Sequence, residues 1–372
     1  MHLAKGCESV QVKSAPPFVM ALDKAASCCH SRDGPQDITL ADDQPGSCVA
    51  SETEHLTPTA VRGSKILIVM VRYQTLLQDS KTIRTLGDCF AEDPSLIESF
   101  SILVWDNTPL GQRVPELPFP VEYRHSDENV GVAGAYNYAL ARAEERSFAW
   151  LLLLDQDTTL PSGFLAGMQS HAIQLAADET VAAVAPMVLM GETPVSPKIM
   201  SRWGGAQDPS PGFQGRMRKE LIIMNSGMLL RVSALRAIGG YSMDFWLDFS
   251  DRYVCHMLAK HHFAAWIAGE LRLQHHVSVM AGEGETSAAR YENLMGAQDA
   301  YFSQYESLLR NAVFCQRLLR NALRERKSHP ERARLNFSHL LRRFTVPKRR
   351  RLEEWRSTVG AKRRAAAGDA RP

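Results

Sequence analysis

Twelve residues, Trp150 to Pro161 (WLLLLDQDTTLP), constrain this chain more than any others. Leu151 to Leu154 run without interruption into Asp155 and Asp157, which stand one residue apart. A continuous apolar run bounded by turn residues predicts a strand buried on both faces, as in a parallel sheet covered by helices. Open α/β sheets bind ligands beyond the carboxyl ends of their strands, and here that end carries paired acids. One acid can reach a sugar or ribose hydroxyl while the other reaches a cation. Hard oxygen ligands suit Mg²⁺ or Mn²⁺, which keep waters and bridge to substrate phosphates. A D-x-D also arises where a strand simply ends in an Asp turn or a helix cap, so the remainder of the chain has to decide.

Charge is the first guide. The 372 residues carry a formal +2, but from Arg317 onward there are 18 Lys/Arg against 5 Asp/Glu, leaving 25 basic and 36 acidic residues before it. An acidic body with a basic tail is not the distribution of a nucleic-acid binder, whose basic face belongs to its core domain. No stretch approaches the ~18 uninterrupted apolar residues of a membrane span. MHLAKGCESV lacks a signal-peptide pattern, so the expected location is cytoplasmic. The 7 Cys (7, 28, 29, 48, 89, 255 and 315) include no C-x-x-C pair, which predicts reduced thiols.

Residues 1–62 are rich in Ser, Pro, Asp and Thr without periodicity, and are expected to form a disordered extension. Lys65 to Val71 (KILIVMV) predicts the first parallel strand, and Ser101 to Asn107 (SILVWDN) a second that ends in Asp106 and Asn107. The helical period across 75–90 between them predicts a right-handed crossover. Asn129 to Asn137 (NVGVAGAYN) reads as a small-residue loop running into a helix. Gly131 and Gly134 let backbone approach a ligand or a neighbouring helix. It matches neither a dinucleotide fingerprint nor a P-loop. A helix is expected from Pro161 to about Ala177 and a buried strand over Val181 to Met190. Residues 191–220 predict a long loop of the binding or lid type.

Leu221 to Leu258 reads as a strand, a helix from Ser233 ended by Gly239-Gly240, and an aromatic loop with Asp244, Asp248 and Asp251. Asp248 and Asp251 could cap the following helix. A carboxylate among Phe245, Trp246 and Phe249 would equally have the raised basicity of a general base. Ala264 to Val279 predicts a strand ending in His275 and His276, where an imidazole beside carboxylates could be a third metal ligand. A helix is expected over 293–326. In the basic tail Phe337, Leu340, Leu341 and Phe344 share a helical face beside Arg342 and Arg343, the pattern of a helix lying on an anionic membrane or of a solvated terminus.

Asp106-Asn107, N-x-G-x-x-G-A-x-N, LLLLDQDTxLP, NSGxLL and GGYxxxFWLDFxD, in that order across roughly residues 64–280, resemble a bacterial family 2 glycosyltransferase. The D-Q-D after a Leu-rich strand is most similar to the rhamnosyltransferase-like branch. The resemblance implies a GT-A fold: a Rossmann-like, mixed, mostly parallel α/β sheet flanked by helices, here with a helical, basic C-terminal extension. It implies three segments, an extension over 1–62, a transferase domain over 63–290 and the tail over 291–372. It also implies a nucleotide-sugar donor, a Mg²⁺ or Mn²⁺ cofactor and inversion at the anomeric carbon.

Carried over by position, Asp106 matches the acid that pairs with the pyrimidine base, and Asp155 the acid near ribose and donor sugar. Asn107, Asn129 and Gly131 fall on the same donor side. Asp157 matches the metal-binding acid, His275 the late histidine near the metal, and Asp251 the base that deprotonates the acceptor. Arg252-Tyr253 follow where relatives often carry an acid two residues on, and Gln74 replaces an asparagine near the first strand. The implied donor is dTDP-rhamnose, with UDP-galactofuranose or UDP-galactose as the runner-up. The acceptor would be a surface polysaccharide or lipid-linked glycan, with the basic tail as a peripheral contact on the inner face of the plasma membrane. A nucleotidyltransferase should show a Gly-rich, Lys/Arg-bearing loop after the first strand, and Arg72-Tyr73-Gln74 is not one. A non-catalytic nucleotide-sugar binder should lack a key acid, yet Asp155, Asp157 and Asp251 are all present.

Overall fold

The seven residues of β1 (Ile66–Arg72) are all buried, because helices cover both faces of the sheet they run through. A computed structural model of the protein describes residues 65–274 and 288–368. The expected N-terminal extension, His275 and His276 lie outside the described residues. After β1 come α1 (Lys81–Glu92), β2 (Phe100–Asp106), β3 (Glu122–His125), α2 (Gly131–Glu145), β4 (Trp150–Asp155) and α3 (Phe164–Gln174). Then follow β5 (Val181–Met190), β6 (Thr193–Ser196), β7 (Lys198–Met200), β8 (Ala206–Gln207), β9 (Gly215–Met217), β10 (Leu221–Ile222) and β11 (Leu229–Arg231). The chain continues through α4 (Val232–Ala237), α5 (Ser250–Lys260), β12 (Ala264–Gln274), α6 (Ala288–Tyr305), α7 (Leu308–Glu325), α8 (Pro330–Thr345) and α9 (Lys348–Gly368).

Nine strands form one sheet in the order β3-β2-β1-β4-β11-β5-β12-β9, with β6 paired to β5. β1 pairs in parallel with β2 and β4, β2 with β3, and β5 with β12. The three-residue β11 lies antiparallel between β4 and β5, which restores the common direction on its far side. The sheet is thus mixed and mostly parallel, the expected α/β class. Alternation along β1 divides the core. Leu67, Val69 and Val71 face α2, α4 and α5, while Ile66, Ile68 and Met70 face α1 and α3. Ala297, Ala300 and Tyr301 of α6 and Trp355 and Val359 of α9 share the first of these cores.

Several local expectations change. The segment expected as a loop over 129–137 is largely the first two turns of α2, which starts at Gly131. Its Ala133, Ala135 and Ala139 are fully buried, so the small residues serve close helix–sheet packing. The segment expected as a long loop over 191–220 contains β6 to β9, and β10-β7-β8 form a separate small sheet. Strands of two to four residues are too short to show a period of two between glycines and prolines. The helix expected over 293–326 is two helices, because Ser307 caps α7 by accepting from the Arg310 amide at 3.3 Å. Cys89 and Cys255 are buried free thiols and Cys315 a half-buried one.

Candidate active site

Parallel register brings the carboxyl ends of three strands to one edge, with Arg72 opposite Asp106 and Val71 opposite Asp155. The turn after β4 is fixed by the residue between its acids. The Gln156 amide accepts from the Tyr73 N–H at 2.8 Å and donates to the Tyr73 carbonyl at 3.2 Å, copying one rung of a sheet ladder. The backbone carbonyl of Gln156 accepts from the Ser80 hydroxyl at 2.7 Å, and the Thr82 hydroxyl donates to the Asp155 carbonyl. Ser80 and Thr82 begin α1, so a helix N-terminus holds this turn from below. Ser226 joins it from the other side, accepting from the Asp155 N–H at 3.2 Å and meeting the Thr158 hydroxyl at 2.5 Å. With their backbones held in this way, Asp155 and Asp157 are half-buried at the strand end.

Asp106 is fully buried. Its carboxylate pairs with Arg72, accepts from the Tyr123 hydroxyl at 2.5 Å and from the Thr108 N–H at 2.8 Å. Asn107 accepts from Trp105 Nε1 at 3.0 Å and the Val130 N–H at 3.2 Å, and donates to the Gly131 carbonyl at 3.2 Å. Asn129 accepts from the Gly131 N–H at 2.9 Å. These four expected donor-side residues therefore meet where β2 ends and α2 begins. Gly131 has φ +68°, and a Cβ there would lie 2.1 Å from the Trp246 carbonyl oxygen. That oxygen accepts from the Ala133 N–H at 3.1 Å, tying the start of α2 to the aromatic loop.

Asp251 lies in the first turn of α5, its Oδ1 accepting from the Arg252 N–H at 2.7 Å. The preceding Phe249 has φ +65°, a left-handed backbone uncommon for an aromatic residue and seen preferentially at functional sites. Burial pushes the Asp251 carboxyl up to about 6, against the lowering pull of the Arg252 amide and guanidinium. Asp155 is pushed up to about 7 by burial, then by the Asp157 and Asp251 charges. The carboxylate on α5 and those after β4 thus share one site. Beneath them lie the fully buried rings of Tyr136 and Tyr241, 5.0 Å apart, and both phenols feel the Asp155 and Asp251 charges. Tyr241 donates to Asn225 at 2.9 Å, whereas the Tyr136 hydroxyl has no hydrogen-bond partner among the described residues. Tyr136 was not among the expected site residues. Its place in the small-residue segment gave one signal, an aromatic residue among alanines and glycines.

Of the expected metal ligands, Asp157 is at this edge. Gln274, the last described residue of β12, forms a bridge with Thr159, two residues beyond Asp157. His275 lies outside the described residues. Among the described residues no three His, Cys, Asp or Glu side chains are grouped to cage a metal by themselves. Two carboxylates at a strand end are the donor set for a hard cation that completes its shell with water and substrate phosphate. Asp155 and Asp157 fit Mg²⁺ or Mn²⁺ on those terms.

The aromatic loop is also held from the C-terminal side. Asp248 pairs with Arg290 and accepts from Asn293 at 2.6 Å, both on α6. Asp244 is bound by Arg356, and its carbonyl accepts from Trp355 Nε1 at 2.8 Å, both on α9. Asp248 is therefore an anchor of the loop.

A mostly parallel α/β sheet with clustered carboxylates at its carboxyl edge is the architecture of a GT-A enzyme. Residues 103–239 match the family model described as Glycosyl transferase family 2, a span containing Asp106, Asp155 and Asp157. The match is a likeness over the part of the chain that carries these three acids, and Asp251 lies beyond it. No curated protein sequence matches this chain significantly. Among solved structures, the mannosyltransferase PcManGT from Pyrobaculum calidifontis is similar at 15% identity over 82% of this chain and 75% of that one, with TM-score 0.42. TarS 1-349 from S. aureus is similar at 11% identity over 76% of this chain and 92% of that one, with TM-score 0.40. Both are likenesses in outline and carry no functional weight.

Proposed function

We propose that this protein is a metal-dependent, inverting glycosyltransferase that moves a sugar from a nucleotide-sugar donor to a hydroxyl of a growing glycan. The observation that carries this reading is the gathering of half-buried carboxylates from two elements, Asp155 and Asp157 after β4 and Asp251 on α5, with the Asp251 charge reaching Asp155. Asp251 is the base: with its carboxyl raised to about 6 it is ionised near neutrality yet basic enough to take the acceptor proton. Asp155 orients the ribose and donor sugar, and the junction of β2 and α2 built by Asp106, Asn107, Asn129 and Gly131 receives the nucleoside, with the buried Asp106 acting through Arg72 and Tyr123. Asp157, with His275, holds the cation, which when bound neutralises charge on the departing diphosphate. A hydrolysing glycosidase needs an acid and a second carboxylate flanking the scissile bond, whereas a diphosphate leaving group needs no protein acid. The proposed donor is dTDP-rhamnose, with UDP-galactofuranose or UDP-galactose second. The catalytic unit is proposed to span 63–290, followed by the helical segment 291–372.

The test is calorimetric titration of the protein with dTDP-rhamnose and UDP-galactose, with and without Mn²⁺. Metal-dependent binding of one donor supports the reading and names the sugar class. Absence of binding by both sugars and by their free nucleoside diphosphates would remove the donor site.

A further inference from the structure

Thirteen large apolar side chains of the described residues are exposed, and eight of them lie on two consecutive helices. On α7 these are Leu308, Leu309, Val313, Leu319 and Leu323; on α8 they are Phe337, Leu341 and Phe344. Leu308 is 91% exposed and Phe344 75%. The spacing is helical in both cases. Leu309, Val313, Gln316, Arg320 and Leu323 follow one face of α7, and Arg334, Phe337, Leu341 and Phe344 one face of α8, all exposed; Lys348, also exposed, opens α9.

The opposite faces of both helices meet α6. Phe302 of α6 stacks on Phe314 of α7 at 4.2 Å, and Tyr291 of α6 accepts from Asn336 of α8 at 2.8 Å. The apolar stripes therefore point away from α6. Residues 308–350 contain 13 Lys/Arg and only 2 Glu, and eight of these cations but one of the acids are exposed, so the apolar surface is set in a cationic field. Among the described residues no helix is long and apolar enough to cross a membrane.

We infer that the outer faces of α7 and α8 form a docking surface for an anionic lipid bilayer. Exposed leucines and phenylalanines enter the acyl boundary while the surrounding arginines and lysines meet lipid phosphates. Charge complementarity selects this occupant. A second copy of the chain would bring one cationic field against another, and a nucleic acid would leave the exposed leucines and phenylalanines in water. Docking holds the enzyme at a bilayer and concentrates it near acceptors carried on lipid. The surface itself does not depend on the transferase reading.

The experiment is sedimentation of the full chain with vesicles of phosphatidylcholine alone or mixed with phosphatidylglycerol, read beside light scattering and a duplex-DNA binding assay. The expected result is binding to the mixed vesicles that weakens with salt. It should fall about tenfold in F337S/L341S/F344S and in R320E/R334E/K348E, with melting temperature and donor binding unchanged because these side chains are exposed. Equal binding by the apolar variant, no binding to the mixed vesicles, self-association abolished by the same substitutions, or binding only to DNA would each overturn the inference. Donor binding fails or survives separately, so the transferase reading is judged by its own measurement.

Discussion

Arg356 grips both carboxylate oxygens of Asp244, at 2.9 and 3.0 Å, across 112 residues of chain. Asp244 begins the segment that ends in Asp251, so a helix near the C-terminus sets the position of the proposed base. Arg356→Ala should lower kcat about tenfold, since small displacements of a reacting group are costly. Donor affinity should stay unchanged and stability fall by only about 0.5–1 kcal/mol, because the pair is partly exposed. The swap D244R/R356D should recover much of the rate. Steady-state kinetics with donor and acceptor varied separately checks this, and equal loss in the swap would mean that packing, not pairing, matters.

Asp251→Asn should keep donor binding and lose transfer by about 10²–10⁴-fold, the range of a general base. Calorimetry beside a transfer assay separates the two, and full turnover by the variant would remove Asp251 from the role.

The pH dependence follows from the same carboxyl. Transfer should rise with pH through about 6 as Asp251 ionises. Stability should move the other way. A carboxyl raised in the folded state favours folding below its unfolded value near 4, and that contribution is lost as pH climbs through 6. Asp251→Asn should therefore melt higher than the parent at pH 8 by about 1–2 kcal/mol, with the difference shrinking at pH 4. Thermal melts at the two pH values decide it.

Asp157→Ala should abolish metal-dependent donor binding while the melting temperature of the free protein stays within about 0.5 kcal/mol equivalent, as for other accessible positions. Titration with donor in the presence and absence of Mn²⁺ is the check; Mn²⁺-enhanced binding in the variant would move the cation elsewhere.

At Gly131 the left-handed backbone and the Trp246 carbonyl leave no room for a side chain. Gly131→Ala should cost more than about 2 kcal/mol through strain and displaced backbone, read as a fall in denaturation midpoint. A neutral result would mean that the start of α2 can move away from the aromatic loop.

The strands that carry the site were legible because each is a continuous apolar run ending in polar residues, as in β1, β2 and β4. Asp155, Asp157 and Asp251 stood out because acids are unusual beside such runs or among aromatic residues. Gln156 did not, since its ladder-like bonds to Tyr73 join residues 83 apart and leave no local pattern. The grip of Arg356 on Asp244 was hidden for the same reason. In the tail, Phe337, Leu341 and Phe344 lie on the exposed face of α8, but Leu340 turns inward against Phe314 and Met295. Arg343 is likewise turned inward, paired with Asp299, so part of the basic excess holds the helices together.

The three residues of β11 also fix an order of events. Leu229 pairs with Leu152 on one side and Val184 on the other, so β4 and β5 have no common neighbour until β11 arrives. During synthesis β4 leaves the ribosome roughly 75 residues ahead of β11 and waits with an apolar edge unpaired, the kind of long-range closure that slows folding and invites aggregation. A chain interrupted before Leu229 would carry most of the carboxylate site and still lack the strand that joins the two halves of its sheet.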